Sequence, residues 1–447
     1  MPDDQPQTLL FRDTIFALSS GRLPAGIAVV RISGPHAQPA LLATIGKVPP
    51  PRMARYCIVR DADGEELDRG LALFFPGPNS ETGEDIAELH LHGGKAIVAA
   101  VLKALGQVEG LRHAEAGEFT RRAFLNGKID LMTVEALGEL VSAETEAQRR
   151  FAQATTRGRQ AELYASWRQR LLHARAMIEA ELDFADEADV PGSVASTIWA
   201  DMRSLAGEMV EHLAGFHSAE IIRDGFQVVI LGAPNAGKSS LLNAIAKRDV
   251  AIVSEEAGTT RDLVEVAIDL KGLKVILTDT AGIREQAGKV EQMGIERARA
   301  RARSADLLLL LTPADGPVET VSHESEAPVV EVRSKVDLMP EARESQHMAV
   351  SARTGAGIAE LLDEIWRRAE SAAGSVTDVI PSQARHVNLI HVALGAIERA
   401  LDGRNLRFLE ENAEEFRQAA DALGRIAGRI DVEDLLDAVF SHFCIGK

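Results

Sequence analysis

Short apolar runs separated by glycine, proline and polar turns characterise the first part of the chain. Three of these runs predict strands, at residues 25–33, 71–75 and 86–91. An apolar stretch with helical spacing at 96–105 follows two glycines and predicts a helix. Strands and helices mixed in this way are typical of an α+β domain, which we assign to residues 1–127.

A helical pattern replaces the strands from residue 128 onward. Apolar residues recur every three or four positions, which predicts one long amphipathic helix. Its apolar positions are Leu163, Trp167, Leu171, Ala174, Ile178 and Leu182. The turn-forming run at 189–192 ends this helix, and another helical region continues to about residue 219. We assign this first helical segment to residues 128–222.

Helical spacing returns after Pro381 in two apolar stripes, at 387–401 and 416–430. Neither helical block has an obvious core of its own. We therefore expect residues 376–447 to pack with the first helical segment as one discontinuous helical domain. The residues between the two segments then form an inserted domain, whose ends are expected to lie close together.

The inserted residues, 223–375, alternate between strand and helix patterns. Short apolar runs that predict strands lie at 226–231, 263–270, 273–278, 306–311 and 328–332. This order predicts a mostly parallel sheet with flanking helices. The chain as a whole is therefore expected to be multidomain, with α/β and all-α parts.

Composition narrows the class of protein further. The 447 residues suggest roughly three domains, and the net charge of −18 argues against a nucleic-acid coat protein without excluding a local basic face. The two cysteines, Cys57 and Cys444, do not form a disulfide framework or a zinc ligand set. There is no apolar run of membrane-spanning length and no signal-peptide core, so we expect a cytoplasmic protein without a membrane anchor.

The segment 232–240, Gly-Ala-Pro-Asn-Ala-Gly-Lys-Ser-Ser, fits the phosphate-loop pattern G-x-x-x-x-G-K-[ST]. It lies between a predicted strand and a predicted helix, which is the context that the pattern requires. Lys238 is expected to reach the β- and γ-phosphates, and Ser239 to hold Mg²⁺. The nucleotide contacts expected in this loop are Asn235, Ala236, Gly237, Lys238, Ser239 and Ser240.

Further segments follow in the order that a GTPase needs. Asp279 ends a predicted strand and would reach Mg²⁺ through water, and the backbone N–H of Gly282 would sense the γ-phosphate. Thr260, within 258–262, is the candidate to close over Mg²⁺. Other nucleotide contacts expected here are Ser254, Thr259, Thr280 and Ala281. The inserted domain is thus expected to be a Ras-like P-loop G domain.

Base recognition is expected from 334–337, Ser-Lys-Val-Asp. Asp337 can accept hydrogen bonds from N1 and N2 of guanine, and adenine has no such pair of donors. Ser334 stands where asparagine is usual, which weakens the guanine signal but leaves the selective carboxylate. Lys335 belongs to the same segment. A last base-contacting loop is expected at Ser351, Ala352 and Arg353.

The residue after Gly282 is Ile283, where many GTPases have a glutamine that orients the attacking water. Hydrolysis therefore needs another group to position the water and another source of positive charge. Asn235 can supply an oxygen to a monovalent cation beside the phosphates, where such an ion would act electrostatically like an arginine finger.

Asn235, the segment 258–262, Ile283 and the terminal Cys-Ile-Gly-Lys at 444–447 together resemble the MnmE (TrmE) family of tRNA-modification GTPases, from about residue 14 to 447. The resemblance implies that potassium stimulates hydrolysis and that G domains dimerise across their nucleotides. The implied potassium contacts are Asn235, Ser254, Glu256 and Thr259. Glu291 is implied to position the water; without the resemblance, it would be taken for a carboxylate at a helix start.

The same resemblance implies a homodimer whose first domain binds 5-formyl- or 5,10-methylene-tetrahydrofolate. The implied folate contacts are Arg31, Glu88, Lys128 and Lys447. Taken singly, the first three are more simply a surface arginine, a cross-strand glutamate and a solvated lysine. Cys444 is implied to aid the chemistry, as acid–base group or nucleophile, whereas a bare thiol is by default a small buried hydrophobe.

The implied function is modification of C5 of the wobble uridine of certain tRNAs with an aminomethyl or carboxymethylaminomethyl group. The implied partner is the flavoprotein MnmG (GidA), in a heterotetramer or larger complex, and GTP hydrolysis would drive opening and closing of the G domains. The alternative is a ribosome-assembly GTPase that binds rRNA. Such proteins usually carry an RNA-binding module after the G domain, whereas a helical segment and a cysteine-containing tail follow here.

Overall fold

The structure, a computed structural model, describes residues 11–183, 194–248, 252, 265–279, 303–316, 325–339, 348–375, 379–402 and 409–428, with single residues at 430, 436, 440, 443 and 446. The chain forms two compact units. The first consists of 1–138 and 423–447, and the second of 139–422.

The first unit contains a six-stranded sheet in the order β3-β4-β5-β2-β1-β6. Its strands are β1 (Thr14–Leu18), β2 (Ala25–Ser33), β3 (Arg55–Arg60), β4 (Glu66–Phe75), β5 (Ile86–Gly93) and β6 (Leu111–His113). Neighbouring strands are antiparallel except β1 and β6. The strands predicted at 25–33 and 86–91 are confirmed, and the one predicted at 71–75 is the second half of a strand that begins at Glu66.

Successive side chains along these strands point to opposite faces of the sheet. The helices of this part are α1 (Ala37–Ile45), α2 (Lys95–Leu105) and α3 (Glu118–Leu125). Phe16, Val30 and Leu89 lie in a fully buried core with residues of α1 and α2. Residues next to them in sequence point to the opposite face, where Ala17 packs with Phe119 of α3.

The second unit contains most of the helices that the structure describes. They are α5 (Glu146–Thr156), α6 (Arg159–Asp183), α7 (Val194–Ala214), α8 (Phe216–Asp224), α9 (Lys238–Ala246), α10 (Ile358–Ala373) and α11 (Ala384–Leu401). Two more, α4 (Leu131–Ser142) and α12 (Leu409–Ile426), each contain a boundary between the units. Over the described ranges, no helix combines the length and apolarity that a membrane crossing needs.

The predicted helical stripes are largely confirmed. Trp167, Leu171 and Ile178 of α6 are buried, as the long amphipathic pattern requires. The run predicted to break this helix, 189–192, lies outside the described residues. The last stripe was predicted too long, because α12 ends at Ile426 and Gly428 follows with a φ of +75°, a conformation that ends helices.

The second unit is built around a six-stranded sheet in the order β12-β11-β10-β7-β9-β8. Its strands are β7 (Phe226–Gly232), β8 (Glu265–Leu270), β9 (Leu273–Asp279), β10 (Leu307–Pro313), β11 (Val329–Ser334) and β12 (Met348–Ala349). All pairs are parallel except β8 with β9, so the predicted mostly parallel sheet is confirmed. The carboxyl ends of β7, β9 and β11 lie at one edge, which is where ligands bind in such sheets.

The segments through which the chain enters and leaves this sheet lie side by side. The Ser218 hydroxyl, just before the sheet, donates to the Ala372 carbonyl at 2.9 Å. Arg223 Nη1 donates to the Ser382 carbonyl at 2.5 Å. These contacts support the expectation that 223–375 are an insertion between two helical segments.

Candidate functional site

The phosphate loop connects the end of β7 to the start of α9. Its backbone is left-handed at Asn235 (φ +65°) and Gly237 (φ +96°), so the loop curls back over the helix start. A side chain at Gly232 would bring its Cβ to 2.5 Å from the Leu311 carbonyl oxygen, which only glycine avoids. The loop thus opens onto a helix N-terminus, where backbone N–H groups favour phosphate.

Lys238 places a buried positive charge under this loop. Its side chain is almost entirely enclosed, and Nζ donates to the Gly232 carbonyl at 2.9 Å and the Ala233 carbonyl at 3.0 Å. The ammonium group is therefore held against the carbonyl oxygens at the start of the phosphate loop. Phosphate oxygens are stronger acceptors than these carbonyls, so a bound nucleotide has a cation already in position.

Ser239 and Asp279 meet at the candidate magnesium position. The Ser239 hydroxyl donates to the Asp279 carboxylate, which is buried at the end of β9. The two residues are brought together because β9 pairs directly with β7. A hydroxyl and a carboxylate are hard oxygen ligands of the kind that Mg²⁺ prefers, so the residues present fit this ion.

A cavity of about 260 Å³ lies beside the loop and holds the predicted base-contacting residues. It is lined by Gly237, Ser240, Leu241, Ser334, Lys335, Asp337, Leu338, Val350, Ala352 and Arg353. Ser351 Oγ donates to the Asp337 carboxylate at 2.6 Å. This hydrogen bond, with the charge of Arg353, lowers the pKa of Asp337, so the carboxylate stays ionised and can accept hydrogen bonds, as the predicted guanine contact requires.

Ser334 ties the base cavity to the phosphate loop. Its side chain is buried, and Oγ donates to the Ala236 carbonyl at 2.5 Å. The sequence predicted both residues as nucleotide contacts but not their contact with each other. The pairing depends on β11 and the loop after β7 meeting at one sheet edge, and no local pattern signals it.

Arg31 and Glu88 come together in the first unit. They are direct partners of β2 and β5, and Arg31 Nε donates to Glu88 Oε1 at 3.0 Å. Arg31 also pairs with Glu81 at 2.6 Å, and His90 Nε2 lies 3.1 Å from the second oxygen of Glu88. Both members of the central pair are largely buried. The simpler interpretation of Glu88, a cross-strand glutamate, is therefore confirmed, and its contact with folate stays a prediction.

Lys128 contacts the 76–85 loop. Its Nζ donates to the Pro78 carbonyl at 2.9 Å, and its aliphatic stem lies against Gly83. Arg31 pairs with Glu81 of the same loop. Two of the predicted folate-binding cations therefore contact this loop.

A buried charge network beneath this loop escaped the sequence analysis. Arg122 is fully buried, and its Nη1 donates to both oxygens of Glu84 at 3.1 and 3.2 Å. Ser33 Oγ donates to the same carboxylate at 2.7 Å, and Arg122 Nη2 donates to Glu118 at 3.1 Å. Burial raises the pKa of Glu84 despite these partners. The network anchors the 76–85 loop through Glu84.

The C-terminal tail reaches the edge of this sheet at one described position, Gly446. Ser19 Oγ donates to its carbonyl at 2.7 Å. Gly446 has a φ of +100°, and a Cβ there would lie 2.0 Å from the Leu18 carbonyl oxygen. Leu18 pairs with Val30, next to Arg31, so the tail ends close to the strand position of the Arg31–Glu88 pair.

Several predicted site residues lie outside the described residues. They are Ser254, Glu256, Thr259, Thr260, Thr280, Ala281, Gly282, Glu291, Cys444 and Lys447. The structure therefore describes the phosphate loop, the base cavity and three of the four folate candidates.

Comparison with known proteins places these features in a family. A model of the GTP-binding protein TrmE N-terminus matches residues 14–128, and a model of the MnmE helical domain matches 131–444. A tRNA modification GTPase MnmE from Mesorhizobium japonicum is 58% identical over 445 residues, covering 97% of this chain and 99% of that protein. MnmE from Chelativorans sp. is 55% identical over 448 residues and covers both chains fully.

Solved structures resemble one part of the chain. The G domain of the T. maritima FeoB iron transporter matches with 24% identity, over 32% of this chain and 99% of that chain. Its TM-score is 0.25, which adds nothing to the family assignment. The relatives compared are named as tRNA modification GTPases, so the ribosome-assembly alternative loses its support.

Proposed function

Because the chain belongs to the MnmE family of tRNA modification GTPases, we propose that it places an aminomethyl or carboxymethylaminomethyl group on C5 of the wobble uridine of certain tRNAs. A tetrahydrofolate supplies the one-carbon unit, and the flavoprotein MnmG is the partner. One observation carries this proposal: Arg31 and Glu88 are direct cross-strand partners, and the tail residue Gly446 accepts a hydrogen bond from Ser19, which follows the strand paired with that of Arg31.

The nucleotide site gives each residue a role in GTP hydrolysis. Lys238 holds the β- and γ-phosphates, and Asp337 selects guanine through N1 and N2. Ser239 and Thr260 hold Mg²⁺, which neutralises phosphate charge when bound, and Asp279 reaches it through water.

Glu291 positions the attacking water in this proposal, because Ile283 has no group that can do so. A potassium ion held by Asn235, Ser254, Glu256 and Thr259 supplies positive charge beside the phosphates. Hydrolysis drives opening and closing of the G domains and does not itself form the carbon–carbon bond.

The folate site draws on the charges of the first unit. Arg31 and Lys128 bind the glutamate carboxylates or the formyl oxygen of the folate, and Glu88 accepts from the N–H edge of the pterin. In the structure, these groups form hydrogen bonds with one another or with the 76–85 loop. A bound folate would replace those partners with its own polar groups, so that no charge would be buried without a partner. Lys447 joins them from the tail, and Cys444 takes part as acid–base group or nucleophile.

Assembly as a homodimer is part of the same proposal. Tyr56 and Leu71 are direct cross-strand partners on β3 and β4, and both are exposed, as is Met53 beside them. Exposed apolar pairs on a sheet favour burial against another chain, and we take this to be a second copy. The dimer joins MnmG in a heterotetramer or larger complex in the cytoplasm.

Calorimetric titration of the full-length protein with 5-formyl-tetrahydrofolate tests the proposal. Binding heat is expected for the wild type, and Arg31→Ala should weaken binding at least about tenfold, because a charge-assisted hydrogen bond is lost. The matched control is Arg69→Ala, which removes an exposed arginine that pairs with Glu66 on the same sheet. Arg69→Ala should melt near the wild-type temperature, whereas Arg31→Ala should melt at a lower temperature, because the largely buried Glu88 loses its arginine; the titration is therefore made well below both melting temperatures.

Two results would count against the proposal. No heat from the wild type would remove the folate chemistry from the proposal. Equal affinity of Arg31→Ala and wild type would mean that Arg31 serves only its ion pair with Glu88.

A further inference from the structure

Ser334 has one hydroxyl proton, and the structure shows where that proton goes. Oγ donates to the Ala236 carbonyl at 2.5 Å, and both residues are buried, with 4% and 1% of their surfaces exposed. A hydroxyl donates only one hydrogen bond. Releasing this one would leave the buried Ala236 carbonyl without its partner, which costs free energy.

The geometry of the cavity determines which edge of guanine lies near this serine. Asp337 accepts from N1 and N2 on the six-membered ring, whereas Ser334 contacts the phosphate loop at Ala236. The five-membered ring carries the bond to ribose, so it lies toward the phosphate loop, where Gly237 and Ser240 line the same cavity. That ring also carries N7, which therefore lies at the Ser334 end.

N7 of guanine is a hydrogen-bond acceptor only, so a protein reads it with a donor. An asparagine amide has two N–H protons, which can serve a loop carbonyl and N7 together. The single proton of Ser334 cannot do both. With that proton committed to the Ala236 carbonyl, Ser334 Oγ has only lone pairs to offer, and two acceptors do not form a hydrogen bond.

We infer that Ser334 leaves N7 of guanine unread, so that this GTPase selects its base through the Asp337 carboxylate at N1 and N2. Ser334 is then a specificity-determining residue because it lacks a second hydrogen-bond donor for N7. It still holds the phosphate loop against the end of β11 through its hydrogen bond to Ala236. The inference rests on the proposed role of Asp337 as the guanine contact.

The test compares dissociation constants of the full-length protein for GTP and 7-deaza-GTP, measured by competition with a fluorescent guanine nucleotide. In 7-deaza-GTP, a C–H group replaces N7. The wild type should bind the two nucleotides with constants less than about twofold apart. A larger loss for 7-deaza-GTP would show that another donor reads N7, and would overturn the inference, since one hydrogen bond is worth roughly two- to tenfold.

Ser334→Asn provides the reciprocal measurement. Its amide can donate to the loop carbonyl and to N7, so the ratio of the two constants should rise roughly two- to tenfold over wild type. Ser334→Thr is the matched control, because it keeps a single hydroxyl proton and should keep the wild-type ratio. Each ratio is taken within one variant, so general damage to the loop cancels. An unchanged ratio in Ser334→Asn would place N7 out of reach of this position and overturn the inference.

Inosine triphosphate separates this inference from the proposed function. It lacks the N2 amino group, so it should bind less tightly than GTP if Asp337 reads N1 and N2. Equal binding of inosine triphosphate and GTP would remove the role of Asp337. Weaker inosine binding together with a strong preference for GTP over 7-deaza-GTP would leave that role intact and reject only the inference about Ser334.

Discussion

Asn235 is exposed in the phosphate loop and has a left-handed backbone, with φ at +65°. Asparagine adopts this conformation more readily than most residues, which gives it a backbone reason to be there. Its proposed second role is to give an amide oxygen to potassium. The two roles can be separated, because glycine tolerates the same backbone and has no amide side chain.

Asn235→Gly tests the proposed potassium contact at the residue scale. Wild-type GTP turnover should be at least about tenfold faster in potassium than in sodium, because the ion stabilises charge that develops on the phosphates. The glycine variant should lose most of this difference and keep its affinity for GTP. Turnover is measured by phosphate release at equal ionic strength. Equal wild-type rates in the two salts would contradict the cation mechanism.

Charged residues show how far individual side chains could be predicted. Asp337 and Ser351 were both identified from motifs, because each motif is a contiguous segment. Arg122 and Glu84 were not, since charged residues are usually exposed and nothing local marks them as buried. Their burial depends on each being the other's partner, which requires the folded sheet.

At the scale of elements, the start of α5 connects three parts of the second unit. Thr145 and Gln148 form a capping box, in which the Gln148 amide oxygen accepts from the Thr145 N–H at 3.0 Å. Gln148 Nε2 also donates to the Arg223 carbonyl near the end of α8, at 2.7 Å. The Ala147 N–H donates to the Gly272 carbonyl in the turn between β8 and β9. This helix start thus links the helical segment to the sheet.

Thr145→Ala should lower the free energy of unfolding by about 1 kcal/mol, the usual cost of losing an N-cap hydroxyl. The control is Thr156→Ala, which removes an exposed hydroxyl from the last turn of the same helix and should cost less than about 0.5 kcal/mol. Urea unfolding followed by tryptophan fluorescence measures both. Equal costs would mean that the capping box contributes nothing specific.

Elements with clear periodicity were predicted well, and polar or very short elements were not. The first half of β4, Glu66–Gly70, is largely polar and carries no strand pattern, yet it pairs with β3 along its length. Strand β6 has only three residues, too few to show an alternating pattern of apolar and polar residues. Hydrogen bonds to a neighbouring strand create such elements, and for β6 that neighbour, β1, is also distant in sequence.

At the scale of the whole molecule, a buried aromatic cluster adjoins the segment that leaves the nucleotide-binding sheet. His212 of α7 lies 2.9 Å from the Tyr164 hydroxyl of α6, and Gln160 donates to both that hydroxyl and the Ile380 carbonyl. Burial, with a smaller contribution from the charge of His386, lowers the pKa of His212 to about 4. The folded protein therefore keeps this imidazole neutral.

This buried histidine predicts a pH-dependent stability. Above about pH 6.5, His212 is neutral in both states and has no effect. As the pH falls toward 4, the unfolded chain takes up a proton that the folded chain refuses, so the free energy of unfolding decreases, by a total on the order of 3 kcal/mol. Below about pH 4, the loss levels off because the folded state also becomes protonated.

His212→Gln should flatten the stability profile between pH 6.5 and 4, because glutamine keeps a polar side chain but does not titrate. Chemical denaturation at half-unit pH steps gives the difference between wild type and variant, in which the carboxylates common to both proteins cancel. A constant difference across this range would show that the imidazole titrates normally in the folded state.

Contiguous motifs and periodic patterns could be assigned before any fold was known, because they arise from local chain geometry. A glycine loop between a strand and a helix N-terminus presents backbone N–H groups that favour phosphate, and an apolar stripe every three or four residues predicts a helix with one buried face. The order of the GTPase segments and the prediction of Asp337 as the base-selecting carboxylate follow from such patterns.

Contacts between distant segments could not be predicted from the sequence and are seen only in the tertiary structure. Ser334 meets Ala236 across 98 residues, and Ser19 meets Gly446 across 427. Their formation depends on which strands pair and on which charges are buried together. These choices are made by the summed packing of the whole chain, and no single stretch of sequence carries enough of that free energy to reveal them.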